Sequence, residues 1–426
     1  MPESLLTTIL GLNYAPEPTG NAPYTTALAR GLAQDGEVSA VVGFPHYPQW
    51  TRYDDHSGFT HRSDDHGVDL RRVSHWIPNP PRGLKRLLSE ITFGLHQVLV
   101  PWRSPDVAVL VSPALFASAL CAIRLRLPRR TPHVVWVQDL YSHGMMETGE
   151  GSALAIKIAK VVERWLLREA DAVVTIHPHM AERVRSDLDV PADRIRVISN
   201  WAHVDRSTKT RDEARAALGW NPTDRIVLHA GNMGRKQGLH SVVEAAKLAS
   251  ERGERVTFVM LGDGAERVAL ESLAAGAPAI RFVDPLPSEL FTDALAAADL
   301  LLVNELPGVK EMAAPSKLTS YFAAGRPVLA AVHADGTVAS IVNSAGAGRT
   351  VDSGDPAALL DAAVAFLDDA DARNAAGESA ITYWREHLSA DAAMESWSSL
   401  LHAVARGEAP APILGSRESA SADSNR

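Results

Sequence analysis

Residues 225–238 read RIVLHAGNMGRKQG, an apolar run that passes into a turn with three glycines and two adjacent cations. The order predicts a strand, a loop and then a helix. Glycine lets the backbone approach a ligand at Gly231 and Gly234, and the next helix offers free amides. Arg235 and Lys236 add positive charge beside them. The stretch therefore favours an anion such as a diphosphate, although an ordinary strand-to-helix turn with solvated cations is the alternative.

A second feature of this kind lies at residues 313–330, AAPSKLTSYFAAGRPVLA. Pro315 fits the start of a helix, Lys317 adds charge beside the first amides, and Gly325 ends the helix before a strand. Alone, this pattern also fits a capped helix without a ligand. Two such sites near the carboxyl ends of strands in one α/β domain are where a nucleotide diphosphate is expected.

Runs rich in Val, Ile and Leu recur along the chain, with helical patterns between several of them. The runs lie at 5–12, 37–43, 106–111, 133–137, 171–176 and 194–198, and again at 225–230, 255–261, 279–283, 298–303 and 327–332. This alternation is typical of a parallel sheet covered by helices on both faces. The polar stretch at 200–221 separates the two sets. We predict an α/β fold of two Rossmann-like domains that face one another across a central cleft.

The domain boundaries follow from the same pattern. We place the first domain at 1–200 and the second at 201–385. A helix at 386–406 is expected to pack back on the first domain. Residues 407–426 are rich in Ser, Ala and Pro without a period, so we expect them to be disordered.

Composition and missing motifs exclude several classes of protein. The 426 residues carry a formal net charge of −9, which argues against a nucleic-acid-binding protein. No Gly-x-Gly-x-x-Gly follows the first strand, and no Walker A or His-Glu-x-x-His motif occurs, so we predict no dinucleotide cofactor and no metal site. Cys121 is the only cysteine, and residues 1–12 lack the basic start of a secretory signal. We therefore expect a cytoplasmic protein.

Four motifs follow one another along the chain. They are Pro16–Asn21 (PEPTGN), Gly231–Gly238 (GNMGRKQG), Gly262–Gly264 (GDG), and Pro315–Leu318 with Ala324–Pro327 (PSKL and AGRP). Their order resembles retaining glycosyltransferases of family 4, which have the GT-B fold, over roughly residues 5–400. The resemblance is to exopolysaccharide and O-antigen enzymes, including colanic acid fucosyltransferase-like members. It implies that the first domain binds the acceptor and the second binds a nucleotide sugar.

The resemblance implies a donor site without a cofactor, in which a UDP- or GDP-sugar is itself the substrate. Lys236 matches the basic residue that neutralises the donor diphosphate. Val283, at a strand end, matches the edge that receives the nucleobase. The residues placed against the donor in this way are Gly20, Asn21, Gly231, Gly234, Arg235, Lys236, Val283, Ser316, Lys317, Leu318 and Ser320.

The chain departs from the family at two glutamates with the spacing Glu-x7-Glu, the second of which is the usual ribose ligand. By register these positions are Met312 and Ser320. Glu311 lies one residue from the first position, and Glu305 lies upstream. These two carboxylates are therefore the candidates for ribose or sugar contacts.

Residues 133–144 read HVVWVQDLYSHG, a strand that ends in polar side chains. Asp139 resembles the acceptor-facing or sugar-facing position of the family. A carboxylate there could orient the acceptor hydroxyl or balance positive charge that develops on the sugar. We predict Asp139 and Lys236 as the catalytic residues. A cap for the turn that follows is the alternative role of Asp139.

Positive charge is concentrated between residues 71 and 130, which carry ten basic residues against Glu90 and Asp106. Apolar residues at helical spacing over 84–99 predict an amphipathic helix within this stretch. Either the helix packs on the core, or it lies on an anionic lipid surface, where a lipid-linked acceptor would be found. In the second case residues 82–103 would hold the protein at the inner face of the cell membrane.

These observations predict a retaining, metal-independent glycosyltransferase. It would move a sugar from a nucleotide diphosphate sugar to a glycan or lipid-linked glycan acceptor in cell-surface polysaccharide synthesis. Two alternatives stay open. One is a sugar-nucleotide epimerase of the same fold, with Glu305 or Glu311 as acid or base. The other is a two-lobed sugar-nucleotide-binding protein without turnover.

Overall fold

The computed structural model describes residues 5–18, 20–53, 58–79, 83–148, 152–201, 206–308 and 316–408. Within these ranges the chain forms two compact units. Unit 1 comprises residues 1–199 together with the chain from residue 393, and unit 2 comprises residues 200–392.

Unit 1 alternates strands and helices in chain order. Its elements are β1 (Leu6–Leu10), α1 (Ala22–Leu32), β2 (Glu37–Gly43), β3 (Thr60–Asp65), β4 (Val68–Val73), α2 (Leu84–Leu99), β5 (Val107–Val111), α3 (Leu115–Leu125), β6 (His133–Val137), α4 (Tyr141–Thr148), α5 (Ala153–Glu169), β7 (Ala172–Thr175), α6 (Pro178–Asp187) and β8 (Ile195–Val197).

The strands of unit 1 lie in the order β3-β4-β2-β1-β5-β6-β7-β8. The chain moves from β1 to β2 and β4 on one side, and then crosses to β5, β6, β7 and β8 on the other. Its direction across the sheet therefore reverses between β1 and β5. Such a reversal leaves a crevice outside the carboxyl ends of the two strands.

Strands β3 and β4 were not among the predicted strands, because their charged side chains interrupt the apolar pattern. β3 reads THRSDD and pairs antiparallel with β4, which reads VDLRRV. Arg62 donates two hydrogen bonds to Asp69 across the hairpin, at 2.6 and 2.8 Å. β4 buries Val68 and Leu70 and runs parallel to β2. The hairpin thus widens the sheet by one parallel and one antiparallel strand.

Unit 2 follows the same alternation. Its elements are α7 (Arg211–Leu218), β9 (Ile226–Ala230), α8 (His240–Arg252), β10 (Thr257–Leu261), α9 (Arg267–Ala274), β11 (Ile280–Val283), α10 (Ser288–Ala297), β12 (Leu300–Asn304), α11 (Ser316–Ala323), β13 (Val328–Ala331), α12 (Thr337–Ala345), β14 (Gly348–Val351), α13 (Pro356–Asp368) and α14 (Ala370–Tyr383).

The strands of unit 2 lie in the order β11-β10-β9-β12-β13-β14 and pair in parallel. Two hydrophobic cores lie on the two faces of this sheet, and successive residues of β9 contribute to them in turn. Ile226 and Leu228 pack on one face, and Val227 packs on the other. Burial on both faces explains why these strands are short, continuous apolar runs. The predicted α/β class with two parallel-sheet domains is confirmed. Only β14 was missed in this unit, because its sequence GRTV is half-buried and weakly apolar.

The last described helix is α15 (Ala390–Ala405), which belongs to unit 1 from residue 393 onward. Its Trp397 is fully buried against Trp136 of β6, with ring centroids 5.0 Å apart. Met394 lies against Gly31 of α1. Across the described ranges, no helix is both long and apolar enough to cross a membrane.

Candidate functional site

The sheet of unit 2 changes direction between β9, its first strand, and β12, its fourth. β9 pairs with β12 through Val227 with Leu300 and Leu228 with Leu301, whereas it pairs with β10 as far as Ala230. The two strands therefore part toward their carboxyl ends. In open parallel sheets, ligands bind at such a switch point.

Tyr321 of α11 fills the gap where the strands part. Its hydroxyl oxygen accepts the backbone N–H of Ala230 at 2.9 Å and lies 3.3 Å from the carbonyl oxygen of Leu302. Lys317 is four residues earlier, about one helical turn, and so lies on the same face of α11. The tyrosine thereby sets the first turn of α11 beside the turn that follows β9.

Lys317 lies above a buried histidine. Its Nζ is 3.2 Å from Nε2 of His229, which is fully buried in β9. A Cβ on Gly231 would lie 3.3 Å from Cε of Lys317, so the glycine leaves room for the lysine. Burial lowers the pKa of Lys317 to about 8. Burial, and then the charge of Lys317, hold the pKa of His229 well below its ordinary value, so His229 is a neutral acceptor for the ammonium group.

Neither His229 nor Tyr321 was predicted as a site residue. The available signal for His229 was a polar residue inside an otherwise apolar strand. For Tyr321 it was the spacing of four residues from Lys317.

The turn after β9 is fixed by backbone hydrogen bonds. The N–H of Gly231 donates to the carbonyl of Leu261, and that of Met233 donates to the carbonyl of Asp263, both at 2.8 Å. Gly262 has a φ of +130°, and a Cβ there would lie 2.1 Å from the carbonyl oxygen of Gly231. This close approach requires glycine and explains the Gly-Asp-Gly motif.

Arg235 and Lys236 project from a single 3-10 turn that precedes α8. Both side chains are exposed and, among the residues that the structure describes, neither forms an ion pair. Asn304, at the end of β12, anchors this turn: its Nδ2 donates to the carbonyls of Gln237 at 2.7 Å and Gly238 at 3.1 Å. The turn is therefore held in place while its two cations are available to an anion.

Glu305 follows β12 directly. Its N–H donates to the carbonyl of Ala331 at 3.0 Å, and its side chain is buried. A Cβ on Gly238 would lie 3.2 Å from the carbonyl carbon of Glu305, which places this residue against the glycine turn. Burial raises the pKa of Glu305 to about 7. Glu311, the other predicted ribose or sugar contact, lies outside the described residues.

The other predicted donor residues of unit 2 differ in their surroundings. α11 begins at Ser316. Leu318 is buried in the core, so its backbone is the part that can meet a ligand, and Ser320 is half-buried. Val283 ends β11, where its carbonyl accepts the N–H of Gly262 at 3.0 Å and its side chain packs against the core.

In unit 1, the predicted residues meet at Ser112, where the sheet reverses direction between β1 and β5. Nδ2 of Asn21 donates to the carbonyl of Ser112 at 2.7 Å, and the hydroxyl of Ser112 donates to the carbonyl of Asp139 at 3.0 Å. Gly20 has a φ of +67°, and a Cβ there would lie 3.3 Å from the ring of Tyr47. The side chain of Asp139 is exposed at this edge.

Glu17, which was not predicted as a site residue, joins the loops that follow β1 and β2. Its buried carboxylate accepts the N–H of His46 at 2.8 Å, the N–H of Tyr47 at 2.9 Å and Nδ2 of Asn13 at 2.8 Å. His46 is itself buried and packs edge-on against His75, with ring centroids 4.7 Å apart. These contacts make the carboxyl edge of the sheet rigid near Gly20.

Two family models match most of the chain. A glycosyl transferase 4-like domain matches residues 19–201, and glycosyl transferases group 1 matches residues 210–383. The two matches correspond to the two units, and the first boundary between the units along the chain lies between residues 199 and 200.

Two bacterial glycosyltransferases are similar to the chain over much of its length. The colanic acid biosynthesis glycosyl transferase WcaI of Escherichia coli (strain K12) is 29% identical over 337 residues, covering 74% of this chain and 81% of that protein. The glycosyltransferase WbjE of Pseudomonas aeruginosa is 25% identical over 285 residues, covering 65% and 70%. These relatives favour sugar transfer over an epimerase or a binding protein.

Solved structures identify the fold. The structure of Anabaena Alr3699/HepE in complex with UDP has a TM-score of 0.66 and 16% sequence identity. The match covers 93% of this chain and 100% of the HepE chain. The architecture of the two units is that of GT-B glycosyltransferases.

Proposed function

The chain belongs to the glycosyltransferases that combine a glycosyl transferase 4-like domain with a group 1 domain on the GT-B fold, and from this we propose its two substrates. The donor is a nucleoside diphosphate sugar, and the acceptor is a glycan or lipid-linked glycan. We infer further that transfer proceeds with retention at the sugar and without a metal ion. The name of WcaI supports a product in cell-surface polysaccharide synthesis. That HepE was solved with UDP supports a uridine nucleotide as the first donor to test.

The observation that carries the proposal is the gathering of cations at the switch point of unit 2. Lys317 lies 3.2 Å from His229 beside the glycine turn, and Arg235 and Lys236 project from that turn without ion pairs to described residues. Cations around a close-packed backbone turn fit a diphosphate.

Departure of the diphosphate is the step that these groups would serve. Breaking the bond between the anomeric carbon and the diphosphate oxygen leaves negative charge on the phosphate and positive charge on the sugar. The acceptor hydroxyl attacks from the same face and gives its proton to the leaving diphosphate oxygen. Lys236, Arg235 and Lys317 stabilise the phosphate charge, and the first amides of α11 add hydrogen-bond donors. These groups would carry the charge that a metal ion carries in other transferases. Glu305 would accept a hydrogen bond from a hydroxyl of the ribose or the sugar.

Titration calorimetry with UDP, GDP and their sugars tests the donor site. Lys236→Ala and Lys317→Ala should each weaken binding by ~1–3 kcal/mol, because each removes a charge-assisted contact. Lys247→Ala is the matched control, since Lys247 pairs with Glu244 on α8 at 3.0 Å. Unchanged affinity in both site variants would contradict this placement of the diphosphate. Incubation with labelled sugar nucleotides and a membrane lipid extract then tests transfer, and the anomeric configuration of the product tests retention.

Asp139 is proposed as the acceptor-side carboxylate. Asp139→Asn should lower kcat much more than it weakens donor binding, because it removes negative charge where positive charge develops on the sugar. Donor affinity by calorimetry and turnover in the transfer assay provide the two readouts. Full turnover in the variant would contradict this catalytic role and favour the alternative, in which Asp139 caps the turn that follows.

We also propose that the protein works in the cytoplasm at the inner face of the membrane, with residues 82–103 in contact with lipid. The motivation is the concentration of basic residues between 71 and 130 in a chain of net charge −9. Anionic lipids attract such a segment.

A further inference from the structure

Helix α2 exposes several apolar side chains to solvent and buries polar side chains inside unit 1. Leu88, Leu95 and Leu99 are 50%, 45% and 72% exposed, whereas Glu90 and Gln97 are 4% and 1% exposed. An amphipathic helix on the surface of a soluble domain ordinarily buries its apolar stripe. The stripe predicted at 84–99 is present, but half of it faces outward.

Specific contacts hold α2 in this orientation. Nε2 of Gln97 donates to the carbonyl of Val41 at 2.7 Å, and Sγ of Cys121 donates to Oε1 of Gln97 at 3.1 Å. A Cβ on Gly94 would lie 2.7 Å from Cα of Ala117, so α2 approaches α3 closely through this glycine. Turning the leucines inward would break these contacts. The outward stripe therefore belongs to the packed state of unit 1.

Helix α5 carries a second outward apolar stripe. Leu154, Ile158 and Val161 are 67%, 49% and 61% exposed, and their spacing of four and three residues places them on one side of the helix. Lys157 and Lys160 flank this stripe. Both lysines are exposed, and neither has an acidic partner in the part of the chain that the structure describes.

Helices α2, α3 and α5 lie on the same face of the sheet. The crossovers from β4 to β5, β5 to β6 and β6 to β7 run in one direction, and right-handed crossovers then put their helices on one side. α3 packs against both α2 and α5, and Ile123 and Leu127 near its end are 49% and 70% exposed. In unit 2, by contrast, the exposed large apolar side chains among described residues are Val268, Leu290 and Leu306.

The charge of this face identifies its partner. Lys85, Lys157 and Lys160 point outward, whereas Glu90 and Glu163 of the same helices are buried. Glu169, the other acid of α5, forms an ion pair with Arg126. Apolar side chains with lysines beside them match an anionic bilayer, because the acyl region takes up the leucines while the headgroups meet the ammonium groups. A second copy of the same face would instead oppose like charges.

We propose that α2, the end of α3 and α5 form one surface that docks on an anionic membrane, and that α5 is as necessary to it as α2. This inference rests on the proposed function, since a lipid-linked acceptor would be met at that surface, and it extends the contact well beyond residues 82–103. The residues of this lipid-docking face are Leu88, Leu95, Leu99, Ile123, Leu127, Leu154, Ile158 and Val161.

The test is co-sedimentation of the full chain with vesicles of phosphatidylcholine alone or mixed with phosphatidylglycerol. Wild-type protein should sediment with the anionic vesicles at low salt and be released by high salt. Lys157→Glu with Lys160→Glu should weaken binding by about twentyfold or more, since each cation near an anionic surface contributes about fivefold. Ile158→Ser with Val161→Ser should weaken binding to a similar extent without a change of charge.

The matched controls lie in unit 2. They are Lys247→Glu with Arg255→Glu for charge, and Val268→Ser with Leu290→Ser for apolar surface. Both controls should sediment like wild type. Melting curves and donor titration of every variant check that the units stay folded, and because the α5 side chains are exposed, little change is expected.

The outcomes separate the two proposals. If Lys85→Glu with Arg86→Glu releases the protein but neither α5 variant does, α5 is not part of the contact and the inference is wrong, while the proposed contact of 82–103 stands. If the wild type stays in the supernatant with anionic vesicles at low salt, both are wrong. If the α5 serine variants instead abolish a dimer seen by light scattering without lipid, the face serves a second copy and the inference is overturned.

Discussion

At the scale of single residues, the burial of Lys317 makes the charge of the donor site depend on pH. Nζ and Nε2 are 3.2 Å apart, and the histidine is fully buried. Because burial lowers the pKa of Lys317 to about 8, its positive charge is present below that pH and is lost above it. The cation that would meet the diphosphate therefore titrates near physiological pH, unlike an exposed lysine.

Affinity for a nucleoside diphosphate should consequently fall as the pH rises from about 7 to about 9. A bound diphosphate favours the charged amine, so above the pKa each binding event must take up a proton, and the dissociation constant rises by up to about tenfold per pH unit. Calorimetry with UDP or GDP over this range provides the measurement. Lys317→Arg is the control, since a guanidinium stays charged throughout and should give a flat profile. A wild-type profile as flat as that of the arginine variant would refute the role of the lysine.

At the scale of elements, α2 shows that a periodic pattern predicts a helix but not the face that it buries. The spacing of leucines over 84–99 predicted the helix, and the helix spans Leu84–Leu99. Close packing at Gly94 and the hydrogen bonds of Gln97 hold the polar side of the helix against the rest of unit 1. Burial raises the pKa of Glu90, on this inner side, to about 7. These contacts lie on other elements, so the helix sequence alone does not reveal them.

At the scale of the whole molecule, the chain returns to unit 1 after it has completed unit 2. Unit 2 runs to residue 392, and the following part of α15 completes unit 1. Trp397 and Trp136 are both fully buried in this contact. Unit 1 is therefore built from two separate segments of the chain, whereas unit 2 is one continuous segment.

Trp397→Ala should destabilise unit 1 by about 3–5 kcal/mol, because it removes a large buried side chain and leaves a cavity. Nucleotide affinity should stay unchanged, since the three cations proposed to bind the diphosphate, Arg235, Lys236 and Lys317, lie in unit 2. Denaturant unfolding and titration with UDP or GDP are the two measurements. Trp76→Ala is the control: Trp76 is 43% exposed, so the change should be far smaller. Equal midpoints for the two variants would show that α15 contributes little to unit 1.

Local patterns along the chain predict the features that depend on neighbouring residues. The alternation of strands and helices, the glycine turn at 231–238 and the concentration of positive charge between 71 and 130 are local patterns, and each was visible before the structure. The hairpin of β3 and β4 was not predicted, because its charged side chains interrupt the apolar pattern. Their pairing across the two strands, as between Arg62 and Asp69, is visible only in the structure.

Contacts between distant segments set which local patterns lie together and which helix faces stay exposed. His229 and Lys317 are 88 residues apart, and only the order of strands in unit 2 brings β9 and α11 together. The outward stripe of α2 likewise depends on α3 and on β2. The physical reason is that contacts between distant segments are set by sheet order and close packing, whereas propensity and periodicity act within a few residues.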